Sequence, residues 1–320
     1  MKIYLSNSDW LGNIDGFFAR LDLSNPNELH IETHPKWISI HPAILTLAAA
    51  LALKVGRENV TIDVVTARSG HYLDRMGLYD LIDEDSPFDI DAHEEAGRFI
   101  PLTVIKTAPE QSTFISDMIP LLHLPPERAD AIKYVISELV RNVLEHANAD
   151  NGAVVAAQYY PKSNTVRIGI CDTGIGIRGS MYSVWNPQSD LQAMLLALKP
   201  GITGTTKREG GTEENAGAGL FFIKSLASMS RDYFLLYSGT AVYRLLKRRP
   251  SKHLPSLNID PQVDYHSSAE DVEPFQGTLV AFDISLDETD EFVSLLSYIR
   301  TAYTDAIRER KAKRYRPKFM

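Results

Sequence analysis

Apolar positions in the first 82 residues follow two rhythms. Lys2–Leu5, Glu28–Thr33 and Val60–Val65 read as short strands, whereas Ile44–Val55 and Tyr72–Ile82 carry the denser spacing of helices. Strands alternating with helices predict a small α/β unit. A polar stretch follows, DEDSPFDIDAHEE from Asp83 to Glu95, with seven acids and one proline. It reads as a solvated connector, because it lacks the glycine and terminal glutamate spacing of an EF-hand loop. A new apolar run starts at Phe99. Beyond Gln111 the period is helical: Phe114–Leu122, a break at Pro125-Pro126, then one long helix from Glu127 to about Asn148. Proline suits a helix start, where its missing N–H is not needed. Strands are expected at Val154–Tyr160, Thr165–Cys171, Tyr233–Tyr237, Val242–Leu246 and Thr278–Ile284, with one further helix at Asp190–Leu198. The fold class that follows is α+β, helices over a mixed, largely antiparallel sheet, preceded by a smaller α/β domain. The expected division is residues 1–95 with the acidic linker, 96–290 for the main domain, and 291–320 for a C-terminal helix and basic tail.

Composition narrows the chemistry. The chain has 320 residues, 44% hydrophobic, enough for two cores. Its longest apolar run, Ala43–Leu53, is far below the roughly 20 residues of a bilayer-spanning helix. No basic, apolar leader opens the chain, so a cytoplasmic address is expected and no membrane. One cysteine, Cys171, excludes an internal disulfide and a thiolate zinc site, which leaves oxygen as the expected metal donor. The closest approach to a histidine pair, His30-Ile-Glu-Thr-His34, lies in a strand-like segment closed by Pro35 rather than on a helix. Formal charge is −8, but Arg308–Met320 holds seven Lys or Arg and one Glu, +6, leaving −14 on the remainder. A body so acidic repels polyanions, so any phosphate ligand must be held by local dipoles or a cation.

Three short segments carry candidate chemistry. In the long helix, Ile132, Val135, Ile136, Leu139, Val140, Val143, Leu144 and Ala147 form an apolar stripe, and Glu138, Asn142 and His146 stack along its border at steps of four. Next, the strand RIGIC runs into Asp172-Thr173-Gly174-Ile175-Gly176-Ile177. Two glycines would let a flat ring approach, and the carboxylate could accept from an exocyclic amine. Gly174, Gly176 and Gly179 also spell a dinucleotide fingerprint. That reading needs a helix opening at the turn inside a βαβ unit, and SMYSVWNPQSD, with Pro187 and no helical period, does not predict one. Third, Gly217-Ala218-Gly219 opens a helix beginning Leu220-Phe221-Phe222, where main-chain amides and the helix dipole suit a phosphate. Between the glycine segments, Ser180–Glu214 reads as a lid in which Thr205, Thr206 and Lys207 could reach a terminal phosphate. Gly277-Thr278 opens the last apolar strand.

Taken in order, these segments resemble the nucleotide-binding domain of the GHKL superfamily of gyrase, mismatch-repair, histidine kinase and anti-sigma serine kinase ATPases, over roughly residues 114–284. Glu138-Leu-Val-Arg-Asn142 corresponds to its N box, Cys171–Ile177 to its first glycine box, and Gly217-Ala-Gly219-Leu220 to its second. The resemblance implies a Bergerat-type sandwich that binds ATP or ADP with magnesium. In it Asp172 would accept the adenine amino group and Gly176 would admit the ring. Thr278 would complete the base site through water, Asn142 would hold the magnesium ion, and Glu138 would orient the attacking water or hydroxyl. The front domain resembles the STAS module. Where regulatory STAS domains present a phosphorylatable Ser or Thr, this chain has Ser39-Ile40-His41-Pro42.

Only about 36 residues follow Ile284, so a topoisomerase-like transducer is not expected. A sensor histidine kinase needs a phosphorylated histidine on a dimerisation helix just upstream, and His123 is the only nearby candidate. The expectation that remains is a magnesium-dependent ATP-binding regulatory protein, a protein serine/threonine kinase or ATPase switch with a protein partner. The alternatives are a slow ATPase switch without kinase activity and a nucleic-acid-associated regulator using the tail cations Arg308, Arg310, Lys311, Lys313, Arg314, Arg316 and Lys318 with Tyr315 for stacking.

Overall fold

A computed structural model describes residues 1–88, 99–118, 124, 126–204, 206, 218–247, 257–285 and 289–314. In the N-terminal part, β1 (Lys2–Leu5) leads through α1 (Asp15–Phe18) to β2 (Leu29–Thr33), and α2 (Pro42–Val55) connects β2 to β3 (Val60–Ile62). The three strands pair in parallel in the order β1-β2-β3. The expected helix over Tyr72–Ile82 is two short ones, α3 (His71–Arg75) and α4 (Leu78–Ile82), because Gly77 takes a left-handed φ of 75° and breaks the run. The acidic connector is in part packed: Phe88 lies edge-on to Tyr79 with centroids 6.4 Å apart. Residues 89–98, which include the rest of that connector, and His123 lie outside the described residues.

The larger part begins with β4 (Phe99–Ile105), a strand the sequence reading left as an undefined apolar run. Then come α5 (Ala108–Thr113), α6 (Pro126–Asn142), β5 (Ala153–Tyr160), β6 (Thr165–Asp172), α7 (Gly176–Trp185), α8 (Asp190–Ala197), α9 (Gly219–Met229), β7 (Phe234–Gly239), β8 (Ala241–Leu245), β9 (His266–Ala269), β10 (Phe275–Ser285) and α10 (Thr289–Arg314). Seven strands form one sheet, β4-β5-β6-β10-β7-β8-β9, every adjacent pair antiparallel. The helix α7 corrects the sequence reading. Gly176, at φ 71°, opens it, but only Ile177 and Met181 anchor it in the core, too few for a legible period. The dinucleotide fingerprint is still excluded, now by topology, since both neighbours of β6 are antiparallel to it.

The sheet is buried on both faces, which is why AVVAA and LVAF read as nearly unbroken apolar runs. Val155, Ala157, Ile170, Val280 and Phe282 face the layer of α6, α7, α8 and α9. Val154, Ala156, Cys171, Leu279 and Ala281 face the other way, into a core shared with the N-terminal unit. That second layer is α2, apolar all round, with eleven of its fourteen residues buried. A Cβ on Gly169 would lie 2.4 Å from the Cα of Ala43, so glycine in mid-strand is what lets α2 rest on β6.

Polar contacts lock this junction. His41 caps α2 by accepting from the Ala43 amide at 3.1 Å, and its Nε2 lies 3.0 Å from Asp283 Oδ1 on β10. Opposite Asp283 in register, Arg167 places its guanidinium 4.1 Å from the Trp10 ring and 4.4 Å from the Tyr160 ring. Arg244 on β8 reaches the Leu11 carbonyl and Asp15. On the opposite layer, α10 packs along α9, burying Ile299 and tilting Tyr303 against Phe221 at 6.0 Å. Residues 308–314 are therefore helical rather than tail-like, and Arg310 donates to the Pro200 carbonyl. Residues 315–320 lie outside the described residues. No helix among the described residues is long and apolar enough to cross a membrane.

Candidate nucleotide site

A cavity of about 130 Å³ opens between α6, the turn after β6, the stem of the following segment and the start of α9. Glu138 and Asn142, one turn apart on α6, both line it. After Asn142 the helix widens into a π-turn, Val143–Ala147, and stops at Asn148 in the left-handed conformation. His146, on that turn, also lines the cavity. The Ala147 carbonyl accepts from the Ile175 amide at 2.7 Å, so the helix end grips the glycine turn. Gly174 serves this grip: a Cβ there would sit 2.0 Å from the Ala147 oxygen. Of the two glycines expected to admit a flat ring, only Gly176 faces the cavity.

Asp172 ends β6 and is 2% exposed. Its carboxylate accepts from the Gly174 amide at 2.8 Å and from the amide of Thr278, its cross-strand partner on β10. Burial pushes its pKa up to about 6, and these two amide bonds offset that only in part. A buried carboxylate with no cation beside it among the described residues has spare acceptor capacity for an amine inside the cavity. Thr278, Ile170, Ile177, Met181 and Val280 complete the apolar walls and floor.

At the other end, Ala218, Gly219 and Leu220 line the cavity where α9 begins. Among the described residues no side chain caps this helix, whose first amides suit an outside acceptor. Gly219 sits against α6: its Cβ would be 3.0 Å from Glu138 Cβ and 3.4 Å from Asn142 Nδ2. Glu138 accepts from Arg141 Nη2 at 2.7 Å. Burial raises its pKa, Arg141 opposes the rise, and Glu145 adds to it.

Residues 112–233 match the histidine kinase-like ATPase domain family. The match takes in α6, the turn at Asp172 and the start of α9, and it supports ATP binding by this region. No curated protein matches the chain. Thr278 and all of β10 lie beyond the matched segment, so one wall of the cavity comes from outside it.

Other residues also shape the cavity. Ser238 on β7 accepts from the Ile177 amide at 3.0 Å and donates to the Gly277 carbonyl at 2.6 Å, joining α7 to the bulge before Thr278. Thr203 and Gly204 line the wall expected to be a lid, and Trp185 fixes that wall by donating to the Thr203 carbonyl at 2.7 Å. No motif marks Ser238 or Thr203, and a serine in an apolar strand was the one available signal. Thr206 is outside the cavity lining. Thr205, Lys207 and Gly217 lie outside the described residues.

Proposed function

We propose that this protein is a magnesium-dependent, ATP-binding regulatory protein that acts as a protein kinase or ATPase signalling switch. The observation that carries the reading is the convergence on one cavity of a buried acceptor, Asp172, two polar residues of α6, Glu138 and Asn142, and the uncapped start of α9. Asp172 accepts the adenine amino group, and Gly176 and Thr278 border the base. The amides of α9 take the phosphates by partial charge, as an acidic protein requires. Magnesium prefers oxygen ligands and keeps several waters, so the Asn142 amide oxygen would hold it together with phosphate oxygens. The ion would neutralise phosphate charge as the terminal phosphoryl group departs.

Glu138 would accept a proton from, or orient, the attacking hydroxyl. Its pKa lies above the ordinary value, and Arg141 holds one of its oxygens. That hold favours the second reading, a slow ATPase switch: Arg141 engages one carboxylate oxygen and competes with the nucleophile for Glu138. The N-terminal unit is read as an STAS-like module of the division 1–95, 96–290 and 291–320. Its helix α2 contacts the sheet face opposite the cavity, so nucleotide-dependent signals between the two parts would pass through β6 and β10.

The deciding experiment incubates the protein with labelled ATP and magnesium, comparing wild type with Glu138→Ala and Asp172→Asn. Label on protein supports the kinase reading, and Glu138-dependent phosphate release supports the ATPase reading. Failure of the intact protein to bind ATP or ADP at millimolar concentration sinks both.

A further inference from the structure

The N-terminal sheet has an outer face turned away from α2. Strands alternate their side chains, so Ile3, Leu5, Leu29, Ile31 and Val60 are buried while Lys2, His30, Glu32 and Thr61 face outward. The parallel register sets His30 opposite Thr61, and Asp63, just past β3, is tied in place by its amide bond to the Ile31 carbonyl at 3.0 Å. His30, Glu32 and Asp63 each bring one donor atom within 4.8 Å of the other two.

The orientation of His30 is the informative detail. Its Nδ1 is 2.8 Å from Thr61 Oγ1, which leaves Nε2 aimed between two carboxylates, 3.3 Å from Asp63 Oδ1 and 3.7 Å from Glu32 Oε1. A ligating imidazole is usually held in this way, through a hydrogen bond on its other nitrogen. Two ligands each about 2.0–2.1 Å from a tetrahedral ion stand roughly 3.3–3.4 Å apart, so the His30–Asp63 separation already equals one edge of such a site.

We propose that His30, Glu32 and Asp63 bind a divalent first-row transition-metal cation, with Thr61 orienting the imidazole. The sequence alone pointed to oxygen donors and set aside the pair His30 and His34, which lies on a strand-like segment rather than a helix. Instead His34 Nδ1 accepts from the Lys36 and Trp37 amides, and the third donor comes from the next strand. One nitrogen and two carboxylate oxygens suit zinc or cobalt, with water at the remaining positions. The standing competitor is Lys2, whose Nζ is 2.6 Å from Glu32 Oε1. This exposed ion pair contributes little, so a divalent ion displaces it readily. The ion clips the three-residue edge strand β3 to β2, on the far side of α2 from the nucleotide cavity, and the proposal is independent of ATP binding.

The test uses full-length protein freed of any histidine tag, titrated with Co²⁺ by absorption and with Zn²⁺ by calorimetry. The expected result is one ion per chain and a ligand-field spectrum of a low-coordinate site. His30→Ala and Asp63→Asn should abolish both, and Thr61→Val should weaken binding about tenfold. Lys2→Ala should tighten it, and Asn142→Ala should leave it unchanged. Zinc should raise the melting temperature of the wild type but not of His30→Ala, and metal-free melts of all variants establish that they fold. No saturable binding in the wild type, or an unchanged cobalt spectrum in His30→Ala, overturns the assignment.

Discussion

Gly219 stands against Glu138 so closely that a Cβ at position 219 would lie 3.0 Å from the Glu138 Cβ. The helix proposed to offer its amides to phosphate and the helix that carries Glu138 and Asn142 are therefore in contact through a missing side chain. Gly219→Ala should push them apart by a few tenths of an ångström. The expected outcome is ATP affinity reduced about tenfold or more, with a stability loss of only about 1 kcal/mol, since alanine is otherwise the better helix residue. Calorimetric titration beside a denaturation curve separates the two effects.

As the proposed acceptor of the base, Asp172 should make nucleotide binding pH-dependent. Its pKa in the folded protein is raised to about 6 by burial, and an amine donor requires the ionised form. Binding should therefore be full above pH 7 and weaken as pH falls through 6, approaching a tenfold loss for each further unit. Without ligand the sign is reversed: a raised carboxyl pKa means the folded state binds more protons, so Asp172 lowers stability as pH rises from its unfolded value through 6. Asp172→Asn should remove the pH dependence together with most of the affinity. An affinity profile flat between pH 5 and 8 in the wild type would count against Asp172 as the base acceptor.

Arg141 lowers the pKa of Glu138 against the effect of burial. Arg141→Ala should let that pKa rise, so the acid limb of the turnover profile should move to higher pH. At the same time it releases the oxygen that Arg141 holds, so turnover on the alkaline plateau should increase. Glu138→Gln should retain ATP binding while losing turnover by roughly a hundredfold or more. Steady-state rates across pH, with binding measured separately, check each part.

His41 predicts a second pH effect, on stability. Burial lowers its pKa below the ordinary 6.5, outweighing the opposing influence of Asp283. The unfolded chain therefore takes up a proton that the folded one resists, and stability is present above pH 6.5 and lost as pH falls below it. His41→Gln should flatten the fall in the urea midpoint between pH 7 and 5, at a cost of about 1–3 kcal/mol at pH 7 from the lost cap and the lost contact to Asp283 Oδ1. A midpoint that falls equally in both proteins would place the pH sensitivity elsewhere.

The sequence by itself determined the parts with a local cause. Glu138 and Asn142 fall on one helix border because the apolar stripe of Ile132 to Ala147 fixes which side faces the core. Asp172 sits at a strand end because two glycines must follow the strand. The all-apolar α2 could be read as buried, but its place on β6 could not, because Gly169 and Ala43 make contact across 125 intervening positions of chain. Ser238, Thr203 and the pairing of His30 with Asp63 were equally hidden. Ser238 and the His30–Asp63 pairing depend on registers between strands, and Thr203 on the distant Trp185, all set by long-range packing rather than by the spacing of neighbours. The tertiary structure decided that Gly174 serves packing and Gly176 the cavity, since glycine is written alike whether a ring or a carbonyl fills the space beside it.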